Sequence, residues 1–348
     1  MIVKGEDKAM NESGQKRFDD AASGVCESIG KHLRALPAEI KSRVQEIRLR
    51  VNRPVTVCCP EGIYFLRAGG GLACTVTADC LISGKSEMEE TFRILCGNSV
   101  YSHDAEIRCG YVTLRGGHRA GICGTSVFQN GAASGLRDIS SVNIRVAREV
   151  PGCADGILGR LKDSLDGGLL LAGPPSSGKT TILRDIARQL SSGICGNLRK
   201  VAIVDERGEI AGTYRGVPQN DVGICCDVLD CCPKSEGILT AVRTLSPQYI
   251  VCDEIGSGEE VQAVEQSLNA GVVVIASIHA AGAAELARRR QAVSLLQSGA
   301  FGTVAFLRGS GKPGEITQIC RAGELLHEAN RGASDDCRGV SRGIYGIA

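Results

Sequence analysis

The run Gly173-Pro174-Pro175-Ser176-Ser177-Gly178-Lys179-Thr180-Thr181 carries the plainest chemistry in this sequence. Its first eight residues fit G-x-x-x-x-G-K-[ST]. A polyphosphate needs many hydrogen-bond donors with little side-chain bulk between them. Glycine lets the backbone turn so that successive N–H groups face one cluster of oxygens. A helix that follows adds the positive end of its dipole. Lys179 is placed to reach the β and γ oxygens, and the Thr180 hydroxyl to take a position on Mg²⁺. An apolar run, Leu169-Leu170-Leu171, precedes the loop and a helical pattern over 180–190 follows it. ATP and Mg²⁺ are the expected ligands.

Hydrolysis also needs a carboxylate for the metal and a group to orient the attacking water. Tyr249-Ile250-Val251-Cys252-Asp253-Glu254 is an apolar strand pattern ending in two acids. In a doubly wound sheet the carboxyl end of such a strand faces the phosphates. Asp253 suits the metal shell and Glu254 the base. Asp205-Glu206-Arg207-Gly208-Glu209 ends another strand pattern, and His279 ends a third. Glu206 is the alternative base, and His279 is expected to sense the γ-phosphate. Phosphoryl transfer builds negative charge, which ring motors usually meet with a cation from a neighbouring subunit. Arg207 and Arg215, each followed by glycine, are the preferred donors; Arg145 and Arg148 are the alternatives.

These groups need a scaffold of alternating strands and helices. From Pro151 onward the sequence supplies one: strands are expected over 168–172, 200–205, 249–252, 271–277 and 303–308, with helices over 180–190, 236–244, 259–269 and 283–297. A strand over 316–320 is expected to pair beyond the last of these strands. That alternation predicts an α/β fold, a RecA-like P-loop domain with a mainly parallel sheet over 151–328. Before it, 21–150 reads as a smaller α+β domain. Glu46–Cys59 alternates apolar and polar residues around Asn52-Arg53-Pro54. Tyr111–Leu114 and His118–Cys123 flank Arg115-Gly116-Gly117, so both read as hairpins. Residues 1–20 are polar and expected to be loose, and 329–348 are expected to form a flexible tail.

Composition narrows the function classes. Of 348 residues, 40 are Lys or Arg and 39 Asp or Glu, and aromatics make up 3% with no tryptophan. Neither a whole-chain basic field nor a base-stacking platform is expected. Arg48, Arg50, Arg53, Arg115 and Arg119 are the residues a local basic patch would use. No apolar run approaches the ~20 residues of a membrane span, and the first residues lack a signal peptide's apolar core. A protein that is neither secreted nor integral is expected. The 17 cysteines are scattered and no pair has C-x-x-C spacing. Reduced thiols, and no structural zinc, are expected, the densest cluster being Cys225, Cys226, Cys231 and Cys232.

GPPSSGKTT, IVDERGEIAG, PQYIVCDEIG and ASIHA, in that order, resemble the Walker A, Asp box, Walker B and His box of the secretion and pilus motor ATPases, a RecA-like, AAA-type superfamily. EIRLRVNRPV, GYVTLRGGHRAGICG, SSVNIRVAREVPGCAD and VPQNDVGICCDVLDCCPKSEG resemble, more narrowly, the stage III sporulation protein AA family. The resemblance spans about 35–325. It implies a cytoplasmic, mother-cell ATPase that acts as a homo-hexamer. It implies peripheral docking on membrane proteins of the channel to the forespore, which are encoded alongside. It places Lys179 and Thr180 on nucleotide and Mg²⁺, Asp253 and Glu254 in Walker B, His279 in the His box, and Asp205, Glu206 and Glu209 in the Asp box. Asp253-Glu254 departs from the Gly-Glu of many secretion motors, and their four-cysteine zinc module is not reproduced. The competing readings are a nucleic-acid translocase on the same core and a nucleotide-gated scaffold with little turnover.

Overall fold

Strands with alternating apolar and polar residues recur between 46 and 145, and they build an antiparallel sheet. The computed structural model describes residues 3–99, 103–108, 110–129, 132–161 and 165–327. Contacts divide the chain into two units: Met1–Arg148 with Gly212–Asn220, and Glu149–Ala211 with Asp221–Ala348. The excursion of 212–220 into the first unit is not signalled by any composition shift.

The first unit starts with α1 (Val3–Ala22), α2 (Glu27–Arg34) and α3 (Ala38–Lys41). The N-terminal residues expected to be loose are therefore helical from Val3. The helix is anchored where Phe18, Ala21 and Ala22 are fully buried and where Asp19 pairs with Lys41 at 2.8 Å. Strands β1 (Glu46–Arg50), β2 (Arg53–Pro54), β3 (Thr56–Cys59), β4 (Gly62–Arg67), β5 (Gly71–Ala73) and β6 (Ile82–Ser83) follow. Next come α4 (Lys85–Leu95), α5 (Asp104–Arg108), β7 (Tyr111–Thr113), β8 (Arg119–Gln129) and β9 (Ala132–Arg145). The sheet runs β5-β4-β3-β1-β9-β8-β7, while β2 pairs with β6. The long β9 pairs with both β1 and β8.

Period-two alternation decides which face of this sheet is buried. Ile47 and Leu49 of β1 turn into a core with Val57, Val142 and Ile144, closed by Phe18, Leu33 and Met88. Glu46, Arg48 and Arg50 occupy the intervening positions. There Arg48 pairs with Glu46 at 2.7 Å, Arg50 donates to Thr56 Oγ1 at 3.3 Å, and Arg119 stacks on the Tyr111 ring.

The second unit has α6 (Asp155–Arg160), β10 (Leu169–Ala172), α7 (Lys179–Ser191), β11 (Val201–Asp205), β12 (Cys226–Asp230), α8 (Lys234–Thr244) and β13 (Tyr249–Cys252). It continues with α9 (Gly258–Asn269), β14 (Val273–Ile278), α10 (Ala283–Arg288), α11 (Arg290–Gln297), β15 (Thr303–Leu307) and β16 (Ile316–Arg321). The order is β12-β11-β13-β14-β10-β15-β16, parallel throughout except for β16.

Near-continuous apolar strands feed two cores, one on each face. Leu170, Ala172, Ala202, Val204, Ile250 and Cys252 pack with residues of α8, α9 and α11. Leu169, Leu171, Val201, Ile203 and Val251 pack with residues of α6 and α7. The fold is thus the α/β, RecA-like arrangement expected, preceded by an α+β unit. Two details differ. The cysteine cluster holds an edge strand, β12, and the helix expected over 283–297 breaks at Arg289, whose ψ of 116° is extended. The expected tail, 329–348, lies outside the described residues.

Candidate functional site

The parallel sheet brings the sequence-expected groups to one edge. β10, β14, β13 and β11 are adjacent, so the residues after their carboxyl ends converge: the loop 173–178 after β10, His279 after β14, Asp253 and Glu254 after β13, and Glu206 after β11.

Between β10 and α7 the chain adopts a conformation that few residues tolerate. Ser176 (φ +60°) and Gly178 (φ +92°) are both left-handed. Alternation of this kind turns consecutive N–H groups toward one concavity, an anion nest. Gly178 has a second constraint: a Cβ there would stand 2.9 Å from the backbone N of Gly314. That Gly314 N–H donates to Ser177 O at 2.8 Å, so the β15–β16 turn braces the loop. Ser177 Oγ is buried without a hydrogen-bond partner among the described residues. A nest, an orphaned hydroxyl and a lysine at the start of the helix together fit a phosphate chain.

Lys179 Nζ donates to Gly173 O at 2.8 Å and Pro174 O at 2.9 Å, and lies 3.1 Å from His279 Nδ1. Burial lowers the lysine's pKa, against the attraction of Glu254. An imidazole that accepts at Nδ1 carries its proton on Nε2. Nε2 lies 3.4 Å from Glu254 Oε1, and the other oxygen of Glu254 pairs with Arg207 at 3.3 Å. Ser277 Oγ accepts the Glu254 N–H at 3.0 Å. Lys179, His279, Glu254 and Arg207 thus form one continuous chain of polar contacts.

The Asp-box residues divide. Asp205 is fully buried and accepts the N–H groups of Glu209, Ile210 and Ala211 at 2.9, 3.1 and 2.8 Å. It shapes the loop that carries Glu206. Burial pushes its pKa up, and the nearby Asp253 adds to this against the three donors. Asp253 is also buried and its pKa is raised by burial, with Lys234 opposing. Glu206 is turned to Lys234 rather than toward Glu254. Thr180 and Thr181 lie in the first turn of α7.

Sequence reasoning missed Lys234. It is the first residue of α8, and its ammonium meets Glu206, Asp253 and Glu260. Burial works to lower its pKa, but the three carboxylates outweigh it and the net shift is upward. The available signal was a lysine opening a helix after proline, where the dipole disfavours a cation.

Of the four arginines, Arg207 is engaged with Glu254 of its own chain. Arg215 belongs to the first unit, within 212–220, beside the Tyr214 ring. Arg145 pairs with Glu46 at 3.5 Å and Arg148 donates to Val44 O at 2.7 Å. Arg145, Arg148 and Arg215 all belong to the first unit. Cys226 lies on β12, its thiol pushed up to about 12 by burial and then by Asp227. Among the described residues no three His, Cys, Asp or Glu stand together as a metal site, and no helix is long and apolar enough to cross a membrane.

Residues 22–325 match the family described as "Sporulation stage III, protein AA". Stage III sporulation protein AA of Bacillus subtilis (strain 168) is 39% identical over 304 residues, covering 87% of this chain and 94% of that protein. Among solved structures, the Legionella pneumophila ATPase DotB superposes with a TM-score of 0.50 at 14% identity, over 86% of this chain and 84% of that one. The pilus retraction motor PilT, solved with ADP, gives a TM-score of 0.51 at 14% identity, over 85% of each chain. These structural likenesses are likenesses of fold alone. Taken with the match along most of its length, the chain belongs to the stage III sporulation protein AA family.

Proposed function

We propose that this protein is a Mg²⁺-dependent ATPase, a motor that energises a sporulation channel complex between mother cell and forespore. The observation that carries the reading is the convergence of Lys179, Asp253, Glu254 and His279 at the carboxyl ends of adjacent parallel strands. In this reading Gly173, Pro174, Pro175, Ser176, Ser177, Gly178, Lys179, Thr180 and Thr181 bind the nucleotide. Lys179 exchanges its carbonyl partners for phosphate oxygens, and the unpartnered Ser177 Oγ gains one. The Thr180 hydroxyl and the Asp253 carboxylate would hold Mg²⁺, which would supply positive charge to offset that of the phosphates. Glu254 orients the attacking water and accepts its proton, with its carboxylate held by Arg207 and His279. His279 touches both Lys179 and Glu254, so displacement of one is felt by the other.

The protein works as a homo-hexamer in the mother-cell cytoplasm, at the forespore-facing membrane, through membrane proteins of the channel. Similarity to the Bacillus protein and to DotB and PilT in fold supports this. A second reading, a nucleotide-gated scaffold with little turnover, is favoured by the existing engagement of Glu254 by two side chains.

Nucleotide binding and turnover of three proteins test the proposal. Lys179→Ala is expected to lose binding of a fluorescent ADP while keeping its circular dichroism. Glu254→Gln is expected to bind and to turn over at least ~100-fold more slowly than wild type. Tight nucleotide binding by Lys179→Ala refutes the site. A deeper lesion from Glu206→Gln than from Glu254→Gln assigns the base to Glu206. A wild type that binds but turns over no faster than Glu254→Gln favours the scaffold.

A further inference from the structure

Lys234 stands at the first position of α8, directly after Pro233. A cation there meets the positive end of the helix dipole, so the helix does not account for it. Its side chain is 2% exposed, and lysines are almost never buried without charged partners. Three partners come from three elements: Glu206 Oε2 at 3.2 Å, Asp253 Oδ1 at 3.3 Å and Glu260 Oε1 at 3.7 Å. Glu206 follows β11 and Asp253 follows β13. Glu260 sits in the first turn of α9, where its other oxygen accepts the N–H groups of Gly256 and Ser257 in a capping box. One ammonium therefore ties two strand ends and a helix start together. Without it, three carboxylate charges would face one another uncompensated, and such a set of oxygens attracts a hard divalent ion.

We propose that Lys234 is a positioning residue of the nucleotide site, a resident counter-ion that fixes Asp253 and Glu206 and denies their pocket to a free divalent cation. Mg²⁺ then enters with the nucleotide instead of ahead of it. The inference rests on reading Asp253 as the Mg²⁺ carboxylate. The bystander role, a lysine that merely fills space, predicts no change in metal binding when its charge is removed.

The probe is Mn²⁺ alone, without nucleotide, with free ion counted by electron paramagnetic resonance on the full chain. Lys234→Met is expected to bind one Mn²⁺ per protomer at least ~10-fold more tightly than wild type, because ligand charge sets affinity in oxygen sites. If Lys234→Met fails to fold by circular dichroism, a second pair carries the test. Glu260→Gln keeps the capping role, since glutamine serves at that position. Lys234→Met/Glu260→Gln has the net charge of the wild-type pocket. The double variant is expected to bind Mn²⁺ at least ~3-fold more tightly than Glu260→Gln. Equal affinities within that pair overturn the proposal, as does a wild type that holds Mn²⁺ as tightly as a folded Lys234→Met. A wild type that fails to bind fluorescent ADP with Mg²⁺ refutes the ATPase reading instead, and leaves the Mn²⁺ comparison intact.

Discussion

At the scale of single residues, carboxylates one position apart do unlike work. Asp205 collects three backbone N–H groups and faces no solvent, whereas Glu206 reaches a lysine. Asp205→Ala leaves three donors without an acceptor in a buried loop. At roughly 1 kcal/mol for each lost bond, urea unfolding should show a loss of about 3 kcal/mol. Asp205→Asn, which keeps one oxygen, should lose clearly less; equal losses would mean the bonds are not what holds the loop. The sequence showed the phosphate loop, Asp253, Glu254 and His279 because each follows an apolar strand at a spacing that chemistry demands. Lys234 was not visible in the same way. Its partners lie 28, 19 and 26 positions away, at Glu206, Asp253 and Glu260, and only the parallel order of β11 and β13 draws them in.

Among elements, those with a clean period were legible and those that depend on their surroundings were not. β10 and β13 are runs of apolar residues that end at a glycine and an acid, and β14 is mostly apolar and ends at His279. β12 carries two aspartates in five residues and lies on the sheet edge, so its sequence Cys226-Asp227-Val228-Leu229-Asp230 carries little strand signal. α1 has few apolar residues, and its burial depends on Phe18, Ala21 and Ala22 near its end.

The hairpin β7–β8 was legible from Gly116-Gly117, and it carries a pH dependence. Gly116 (φ +82°) has no room for a Cβ, which would stand 2.9 Å from the ring of His118. His118 is fully buried and accepts the Ala147 N–H at Nδ1, 3.0 Å away. Burial, with a smaller contribution from Arg17, lowers its pKa to about 4. The unfolded chain binds its proton near the ordinary value of about 6.5. Between these values the unfolded state holds more protons, so stability rises with pH and is lost on acidification from about 6.5 toward 4. The shift corresponds to roughly 3 kcal/mol at most. Urea unfolding across that range should show the slope, and His118→Asn, whose oxygen can still accept the Ala147 N–H, should flatten it. An unchanged slope in the variant would assign it to other groups.

For the whole molecule, the proposed ring demands a cation from a neighbouring chain. Arg207 already pairs with Glu254 of its own chain. Mixing Arg207→Ala with Lys179→Ala subunits is therefore expected to restore no ATPase activity, since both lesions fall in one site. Arg215→Ala mixed with Lys179→Ala is expected to regain activity, because about a quarter of head-to-tail interfaces in a mixed ring then join an intact loop to an intact arginine. No recovery with Arg215 would remove it as the trans donor.

The segment 212–220 leaves the second unit after Ala211 and rejoins it at Asp221, yet it completes the first. Gln219 accepts the Gly116 N–H at 2.9 Å, and Gly212 lies against Gly117. The first unit is thus not a contiguous gene fragment. Recombination at a single crossover near Arg148 would graft a foreign N-terminal unit onto a strap shaped for another hairpin. Viable chimaeras between relatives must exchange two stretches of coding sequence together, so the two units are expected to share one inheritance rather than to shuffle as modules.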